Sequence, residues 1–179
     1  SQANKYPYIF ISHENSITKA ATMNNGKINV TAGLVNGAAW DRTLNWILET
    51  NNNMSLADIN KDSTSWGNYY YSKFSFTGKY STDYGNNFTD ATASTEKPED
   101  SSELLGTGVT EYTKKNNIYD LAGNCEEWTT ESYSSSDRVC RGGSYGNSGF
   151  VTPAYDRDYD SADSSYGNFS FRSALYVTL

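Results

Sequence analysis

The chain has 179 residues and a formal net charge of −7, and 36% of its residues are hydrophobic while 15% are aromatic. This length favours one domain, which buries about two-thirds of the surface of its unfolded chain. The low apolar share with many aromatic residues predicts a loop-rich fold with short strands, held by aromatic packing. The acidic balance argues against a nucleic-acid partner, because phosphate binding needs a basic face.

The sequence also lacks the apolar segments that membrane insertion and secretion require. It has no run of about 18 apolar residues, it has no signal-type segment, and it does not begin with Met. We therefore expect a soluble piece of a longer protein, without membrane insertion.

The chain has two cysteines, Cys125 and Cys140, and a single histidine, His13. Their spacing does not fit a zinc site. The sequence favours two buried free thiols. A disulfide between neighbouring strands stays open, because the sequence does not place the two Cα atoms within the required distance of about 4.4 to 6.8 Å.

The N-terminal region contains two strand candidates. YPYIFIS at residues 6–12 is a short apolar and aromatic run that predicts a strand, and GKINVT at residues 26–31 predicts a weaker one. We assign residues 1–32 to an N-terminal strand segment that packs on a domain formed by residues 33–179.

Residues 36–50 contain the clearest helical pattern in the sequence. Trp40 and Leu44 belong to an apolar series at three-and-four spacing, and Asn36 precedes this series as an N-cap. MSLADIN at residues 54–60 predicts one or two further helical turns.

Regular patterns are weaker in the rest of the chain. Residues 63–103 show no period, which predicts long loops with a hairpin around residues 69–80. Loops of this length usually indicate function or local mobility. RVCRGGSY at residues 138–145 predicts a short strand that its Gly-Gly pair breaks, and residues 169–179 alternate strongly enough to predict the last strand.

Four separated pieces of the chain carry a resemblance to a known family. In order they are GLVNGAAWDRTLNW, SWGN, NNIYDLAGNCEEWT, and RVCRGGSY together with FSFRSAL. They resemble motifs of the formylglycine-generating-enzyme (sulfatase-modifying factor) type of C-type-lectin fold, over residues 33–175. The resemblance implies an α+β fold that is rich in loops, with short strands and one or two helices.

The matched residues also have a structural interpretation of their own. Trp40, Trp66 and Trp128 are large enough to hold a loop-rich core together. Arg141 and Arg172 have few acidic neighbours in sequence, so we expect them to brace loop carbonyls or carboxylates from inside.

The catalytic chemistry of the family is not supported by the sequence. The family's enzymes use cysteines just after the Gly-Gly-Ser motif, but GGSYGNSGFVTPAYDRD contains none, so no thiolate can form there. A second enzymatic branch uses a His-rich iron site, which His13 alone cannot supply. The acids Asp156, Asp158, Asp160 and Asp163 lie in polar loops where carboxyl groups keep ordinary acidity. We expect neither catalysis nor a redox cofactor.

The resemblance implies a structural calcium site in the YDLAGNCEEWT turn. The implied ligands are the side chains of Asp120 and Glu127 and the carbonyls of Gly123 and Cys125, which are the hard oxygen donors that calcium prefers. The alternative is that Asp120 and Glu127 only satisfy backbone amides of the turn.

The C-terminal region resembles another branch of this fold. Members without catalytic residues include the variable proteins of diversity-generating retroelements, among them phage tropism determinants on tail fibres. Adenine mutation there converts Asn codons into Tyr, Ser, Asp and Gly codons. Residues 125–177 look like such a product, with interspersed Tyr, Ser, Asp and Asn and no Lys. Tyr offers rigid contact area, while Ser, Gly and Asn adapt their hydrogen bonds.

The family pattern separates scaffold positions in this region from positions that lie between motifs. We predict that the second set forms the contacting face. It comprises Tyr145, Asn147, Phe150, Val151, Thr152, Tyr155, Asp156, Asp158, Tyr159, Asp160, Tyr166 and Asn168.

The resulting expectation is a non-enzymatic protein that binds a protein or glycan receptor. We expect it on a virion tail or a cell surface, as a homo-oligomer or as part of a larger phage or surface protein, because multivalent display strengthens weak contacts. Two alternatives stay open: a calcium-dependent carbohydrate-binding lectin, and a degenerate formylglycine-generating-type oxidase.

Overall fold

Three α-helices lie in the first third of the chain. The computed structural model describes residues 3–24, 26–27 and 29–177. Helix α1 spans His13–Ala21, α2 spans Gly37–Thr50, and α3 spans Leu56–Asn60. Within the described part of the chain, no helix is both long enough and apolar enough to span a bilayer.

The two helices that the sequence predicts are confirmed. The side chain of Asn36 caps α2 by accepting a hydrogen bond from the Ala39 amide at 2.8 Å, and Trp40 and Leu44 are buried. A reciprocal capping box between Ser55 and Asp58 starts α3. Both helices therefore begin where their sequences provide a partner for the first free amides.

Besides a short 3-10 helix at Thr22–Asn24, the described residues form eleven strands in four sheets. The orders are β1-β11, β10-β7-β8-β9, β3-β2-β4 and β5-β6, and only the β7–β10 pair is parallel among the strands described. The strands are β1 Val30–Leu34, β2 Phe74–Ser81, β3 Thr89–Lys97, β4 Leu104–Leu105, β5 Lys114–Lys115, β6 Ile118–Tyr119, β7 Glu126–Ser132, β8 Asp137–Arg141, β9 Arg157–Ser161, β10 Phe169–Phe171 and β11 Ser173–Val177.

The strand predicted for residues 6–12 is wrong. Phe10 has a positive φ of 54°, which interrupts an extended ladder, and α1 begins three residues later. The segment docks across β7 instead, because the Trp128 indole donates to the Ile11 carbonyl at 2.9 Å. The weaker candidate at residues 26–31 overlaps the start of β1.

Two further predictions differ from the structure. Residues 63–103 contain a long hairpin of β2 and β3, so regular structure extends beyond the hairpin predicted around residues 69–80. The predicted last strand is two strands, because Arg172 interrupts it. The chain leaves β7 after Phe171 and then pairs with β1.

Three buried tryptophans hold the core together, as the sequence predicts. Their indole N–H groups each donate to a distant carbonyl: Trp40 to Ala154 at 2.9 Å, Trp66 to Asp58 at 2.8 Å, and Trp128 to Ile11 at 2.9 Å. Burying an indole without such a partner would cost free energy. Each tryptophan therefore joins a loop to an element as well as filling space.

The YDLAGNCEEWT turn is packed against the loop that carries SWGN. Gly123 has a φ of +68°, and a Cβ there would collide with the Asn68 carbonyl. The Asn124 side chain accepts from the Leu105 amide at 2.9 Å and from the Asn68 amide group at 3.0 Å. The motif residues are thus required by the close approach of three segments.

Arg141 joins the C-terminal region to α2 and β7. Its side chain is fully buried and donates to the carbonyls of Asp156 at 2.7 Å and Tyr155 at 3.1 Å. It also pairs with Asp41 at 2.7 Å and with Glu131 at 3.3 Å. The prediction that Arg141 braces carbonyls and carboxylates from inside is confirmed.

Candidate functional site

Strand β9 divides the predicted contacting face into two sides. It is an edge strand of the four-stranded sheet, and successive side chains of a strand point to opposite faces. Tyr159 stacks on Tyr133, with ring centroids 3.6 Å apart. Asp158 and Asp160 lie on the other side, close enough to Glu126 to change its acidity. The two sides are therefore separate surfaces.

The side with Asp158 and Asp160 also contains Asn168, and Glu126 lies between these residues. Burial raises the pKa of Glu126 to about 7, and the carboxylates of Asp158 and Asp160 add to this rise, against hydrogen bonds from Asn168 and Ser144. The Glu126 amide donates to the Asn168 carbonyl at 2.8 Å. We call the half-buried residues Asp158, Asp160 and Asn168, together with the buried Glu126, the acidic face.

Glu126 is the residue of this face that the sequence did not indicate. It belongs to the hallmark turn, where a scaffold role was the natural interpretation. A usable signal was the pair Glu126-Glu127 at the start of a strand, because alternation sends two adjacent side chains to opposite faces. Only one of the two can then serve the interior turn.

The opposite side of β9 belongs to the Arg141 brace. Arg157 pairs with Glu131 at 3.1 Å and with Asp41, and its guanidinium carbon lies 5.3 Å from the centre of the Tyr155 ring. Asp156 is half-buried, and its carbonyl accepts from Arg141. Burial raises the pKa of Asp156. Tyr155 and Tyr159 are partly exposed here, but their surroundings are those of a scaffold.

A loop tip carries three more of the predicted residues. Phe150 and Val151 are among the most exposed apolar side chains, at 71% and 68%. The side-chain oxygen of Asn147 accepts from the Ser144 amide at 2.8 Å, and its carbonyl accepts from the Tyr70 amide at 2.9 Å. The tip is therefore anchored at Asn147, and its apolar side chains project beyond the anchor.

The prediction is wrong for two of the contact residues, because their side chains are buried. Tyr145 is 2% exposed and packs with Leu104 and Cys125, and burial raises its pKa. Thr152 is 7% exposed, and its hydroxyl donates to the Ser148 carbonyl at 3.3 Å. Neither side chain can contact a partner without a change in the fold.

Tyr166 lies beside two exposed aromatic residues from other parts of the chain. The Phe10 amide donates to the Tyr166 carbonyl at 3.0 Å. A Cβ at Gly167 would collide with the Tyr84 carbonyl, so the chain passes directly over residue 84. We call Phe10, Tyr84 and Tyr166 the aromatic cluster.

The proposed calcium ligand Asp120 is already satisfied by hydrogen-bond donors. One carboxylate oxygen accepts from the Thr113 hydroxyl at 2.7 Å, and the other accepts from the Gly108 amide at 2.9 Å. The Gly123 carbonyl accepts from the Cys125 amide at 2.9 Å. Both groups serve the local fold.

Glu127, the second side chain of the implied calcium site, is paired with a cation of the protein itself. Arg172 donates to its two oxygens at 2.9 and 2.8 Å, and also to the carbonyls of Tyr119 at 3.0 Å and Asp120 at 3.3 Å. The described residues include no group of three or more His, Cys, Asp or Glu side chains that could hold a metal ion. The donor set does not fit calcium, because a guanidinium already binds these oxygens.

The family relationship of the chain follows from its sequence as a whole. Residues 5–177 match the FGE-sulfatase family, described as the sulfatase-modifying factor enzyme 1-like domain. The chain belongs to this family. The match includes most of residues 1–32, beyond the motifs that carry the resemblance.

Two solved structures are similar to the chain at low sequence identity. CarF is 13% identical with a TM-score of 0.58, over 98% of this chain and 69% of CarF. Treponema denticola variable protein 1 is 18% identical with a TM-score of 0.44, over 83% of this chain and 48% of that protein. No curated protein matches the chain in sequence. The α+β C-type-lectin fold of this family is thus confirmed.

The two thiols of this family member are inert in the fold. Cys125 and Cys140 are both free and buried. Burial raises the pKa of each thiol above its ordinary value, and nearby carboxylates add to the rise. The thiolate is the reactive form, so neither cysteine is positioned as a nucleophile.

Proposed function

We propose that this chain is a non-enzymatic recognition domain that binds a macromolecular receptor through its C-terminal region. The observation that carries the proposal is that the two sides of β9 have different roles. Arg157 fastens one side of the strand to α2 and β7, while the half-buried Asp158 and Asp160 lie with Asn168 on the other side. The residues that we propose to contact the receptor are thus separate from the ion pairs that fasten the strand.

The scaffold beneath the acidic face is fixed by residues that do not belong to it. Arg141 holds the chain before β9 through two carbonyls, and Arg172 holds the chain after β10 through Glu127. Substitutions among Asp158, Asp160 and Asn168 leave these bonds intact. Such a surface can change its specificity without refolding, which is what a diversified binding protein requires.

Catalysis has less support than recognition. A carboxyl group with a pKa near 7 is suited to general acid or base chemistry, and Glu126 has one. However, the thiol near it, Cys140, has its pKa raised by burial and by Glu126, Asp158 and Asp160, so it is held in the unreactive protonated form. Burial and the neighbouring carboxylates account for the raised pKa of Glu126, so a catalytic role is not needed to explain it.

The wider setting is also part of the proposal. Tyr, Ser, Asp and Asn dominate residues 125–177, and this composition supports membership in the retroelement-diversified branch, on a phage tail or a cell surface. Several copies presented together would raise the strength of weak single contacts. A template repeat that differs from the coding DNA only at adenines, beside a reverse transcriptase gene, would test this setting directly.

A peptide selection tests the binding surface. Random peptides are selected on the immobilised domain, and the affinity of the selected peptides is measured for D158A/D160A and for the charge-matched control E49Q/E99Q. We expect about a tenfold or greater loss for D158A/D160A, which corresponds to about 1.4 kcal/mol. The control should bind like the wild type.

A variant on the other side of β9 provides the result that would contradict the proposal. If Y133A/Y159A loses binding while D158A/D160A keeps it, the acidic face is not the receptor site. A glycan array with and without a calcium chelator examines the lectin alternative. Glycan binding that the chelator abolishes would replace our proposal.

A further inference from the structure

The aromatic cluster is unusually exposed for its size and composition. Phe10, Tyr84 and Tyr166 are 48%, 66% and 56% exposed. They come from three distant segments, yet backbone contacts join all three: Phe10 bonds to Tyr166, and the chain after Tyr166 packs on Tyr84. Grouped, exposed aromatic side chains mark contact sites more often than scattered ones do.

Phe10 and Tyr84 are held in a backbone conformation that bulky residues rarely adopt. Their φ angles are 54° and 62°. This conformation costs free energy for an aromatic residue, and the surrounding bonds must maintain it. Next to Tyr84, Asp83 accepts from the Ser81 hydroxyl at 2.6 Å and from the Asn87 amide at 2.9 Å. The rings are therefore presented from rigid loops, which lowers the entropic cost of binding.

The aromatic cluster continues directly into the acidic face. Tyr166 and Asn168 lie two residues apart, and the Asn168 carbonyl accepts from the Glu126 amide at 2.8 Å. On the far side, hydrogen bonds from Ser81 and Asn87 lower the pKa of Asp83 to about 2, so this carboxylate stays ionised beside Tyr84. The aromatic cluster thus has an ionised carboxylate beside Tyr84 and a residue of the acidic face two positions after Tyr166.

The four arginines of the C-terminal region form their ion pairs and hydrogen bonds with groups outside the acidic face. Arg141 and Arg157 pair with Asp41 and Glu131, and Arg172 pairs with Glu127. Arg138 donates to carbonyls of its own turn, at 3.2 Å for Ser134 and 2.9 Å for Asp137. Arg138 lies opposite Asp160 in the β8–β9 ladder, but among the described residues none of these four guanidinium groups forms an ion pair with Asp158 or Asp160. Charge complementarity therefore favours a cationic partner.

We infer that the aromatic cluster and the acidic face form one contact surface for arginine side chains of a basic protein segment. The inference rests on the proposed function and names the chemistry of its partner. A guanidinium stacks on aromatic rings and binds carboxylates through two parallel hydrogen bonds, whereas an ammonium acts as a point charge. Rings beside carboxylates suit the first of these groups better.

The probes are three synthetic peptides that differ only in one side-chain type. Each has six copies of arginine, lysine or neutral citrulline, spaced by Gly and Ser. We expect the arginine peptide to bind at least about tenfold more tightly than the lysine peptide, since only it can stack and bind in bidentate fashion. The citrulline peptide should not bind measurably.

The variants F10N and Y84N remove the rings and relieve the backbone, because Asn tolerates a positive φ better than an aromatic residue does. We expect each variant to lose about tenfold in affinity for the arginine peptide, with an unchanged or higher melting temperature. Y71N, at an exposed tyrosine outside the cluster, and E49Q/E99Q are the controls.

The possible results separate the inference from the proposed function. If F10N and Y84N bind the arginine peptide like the wild type, or if the lysine peptide binds equally well, the inference is wrong. The selected peptides of the previous experiment would then still report on the acidic face through D158A/D160A. If E49Q/E99Q weakens binding as much as D158A/D160A does, the arginine peptide reports only net charge, and the inference again fails.

Discussion

Glu126 and Glu127 are neighbours in sequence with opposite roles. Glu127 faces the interior and pairs with Arg172, while Glu126 faces Asp158 and Asp160. Both side chains are buried, but strand alternation directs one toward the interior turn and the other toward Asp158 and Asp160.

Glu126 should make stability depend on pH. Its pKa rises from 4.5 to about 7 in the folded protein. The folded state therefore favours the protonated form, so this contribution is fully present below the unfolded pKa and is lost as pH rises through 7. The shift corresponds to about 3 kcal/mol of unfolding free energy.

The measurement is urea unfolding of wild type, E126Q and E49Q at several pH values between about 4 and 8. We expect the stability difference between wild type and E126Q to change by up to about 1.4 kcal/mol per pH unit between pH 4.5 and 7. E49Q should follow the wild type. Parallel curves for wild type and E126Q would show that burial and the neighbouring aspartates do not raise the pKa of Glu126 in the folded protein.

Single residues also show where the sequence misleads. Tyr145 and Thr152 lie between motifs in the same composition as the displayed residues, but both are buried. Tyr145 is covered by Leu104 and Cys125, which come from distant segments. Composition indicates that a region displays tyrosines, and long-range packing decides which of them are displayed.

At the scale of elements, the sequence predicts those whose ends carry their own partners. Helices α2 and α3 have N-caps in sequence, and both are confirmed. Strand β9 escaped prediction because it depends on pairing with β8. Its edge is further satisfied by Asp158 and Asp160, whose side chains accept from the following amides at 2.8 and 2.7 Å. Such bonds also discourage pairing with another chain.

Arg172 explains two departures from the sequence predictions. The donor set does not fit the implied calcium site, and the last strand is divided in two. The guanidinium of Arg172 bonds to Glu127 and to two carbonyls of the hallmark turn, and this residue separates β10 from β11. A motif match gives the positions of these oxygens but not the cation that they bind. The alternative, in which both carboxylates satisfy backbone amides of the turn, is also only partly met: Asp120 accepts from the Gly108 amide, whereas Glu127 accepts from the Arg172 side chain.

Removal of Arg172 should therefore change the response to calcium. Neither calcium nor a chelator should move the melting temperature of the wild type. R172A should be destabilised by about 3 to 5 kcal/mol, because Glu127 then stays buried without its partner. Calcium should raise the melting temperature of R172A alone, since the freed oxygens are hard donors. R138A is the control, and a calcium-induced rise in the wild type would contradict our interpretation.

At the scale of the whole molecule, several small clusters replace one large core. One cluster lies around Trp40 and Trp66, a second lies around Trp128, and a third joins Leu104, Cys125 and Tyr145. The motifs that reveal the family supply residues of these clusters, among them Trp40, Leu121 and Trp128. Short motifs were therefore enough to predict the fold, although most of the individual strands were not predicted.

The two thiols report on the integrity of this arrangement. Cys140 lies in the Trp128 cluster and Cys125 lies in the Tyr145 cluster, and both are free and buried. Because burial raises both pKa values, a thiol reagent should react only after the clusters open. The thermal midpoint should be the same with and without reductant.

Labelling with a chromogenic disulfide reagent measures this opening. We expect no reaction of the native protein on the mixing timescale and reaction of both thiols in denaturant, with a native rate that slows as stability rises. S135C, at an exposed turn position, should react at once and is the positive control. Rapid labelling of Cys125 alone would mean that the cluster beneath Tyr145 opens locally. The displayed region would then be less rigid than a preorganised contact surface requires, and the tight binding expected for the arginine peptide would lose its physical basis.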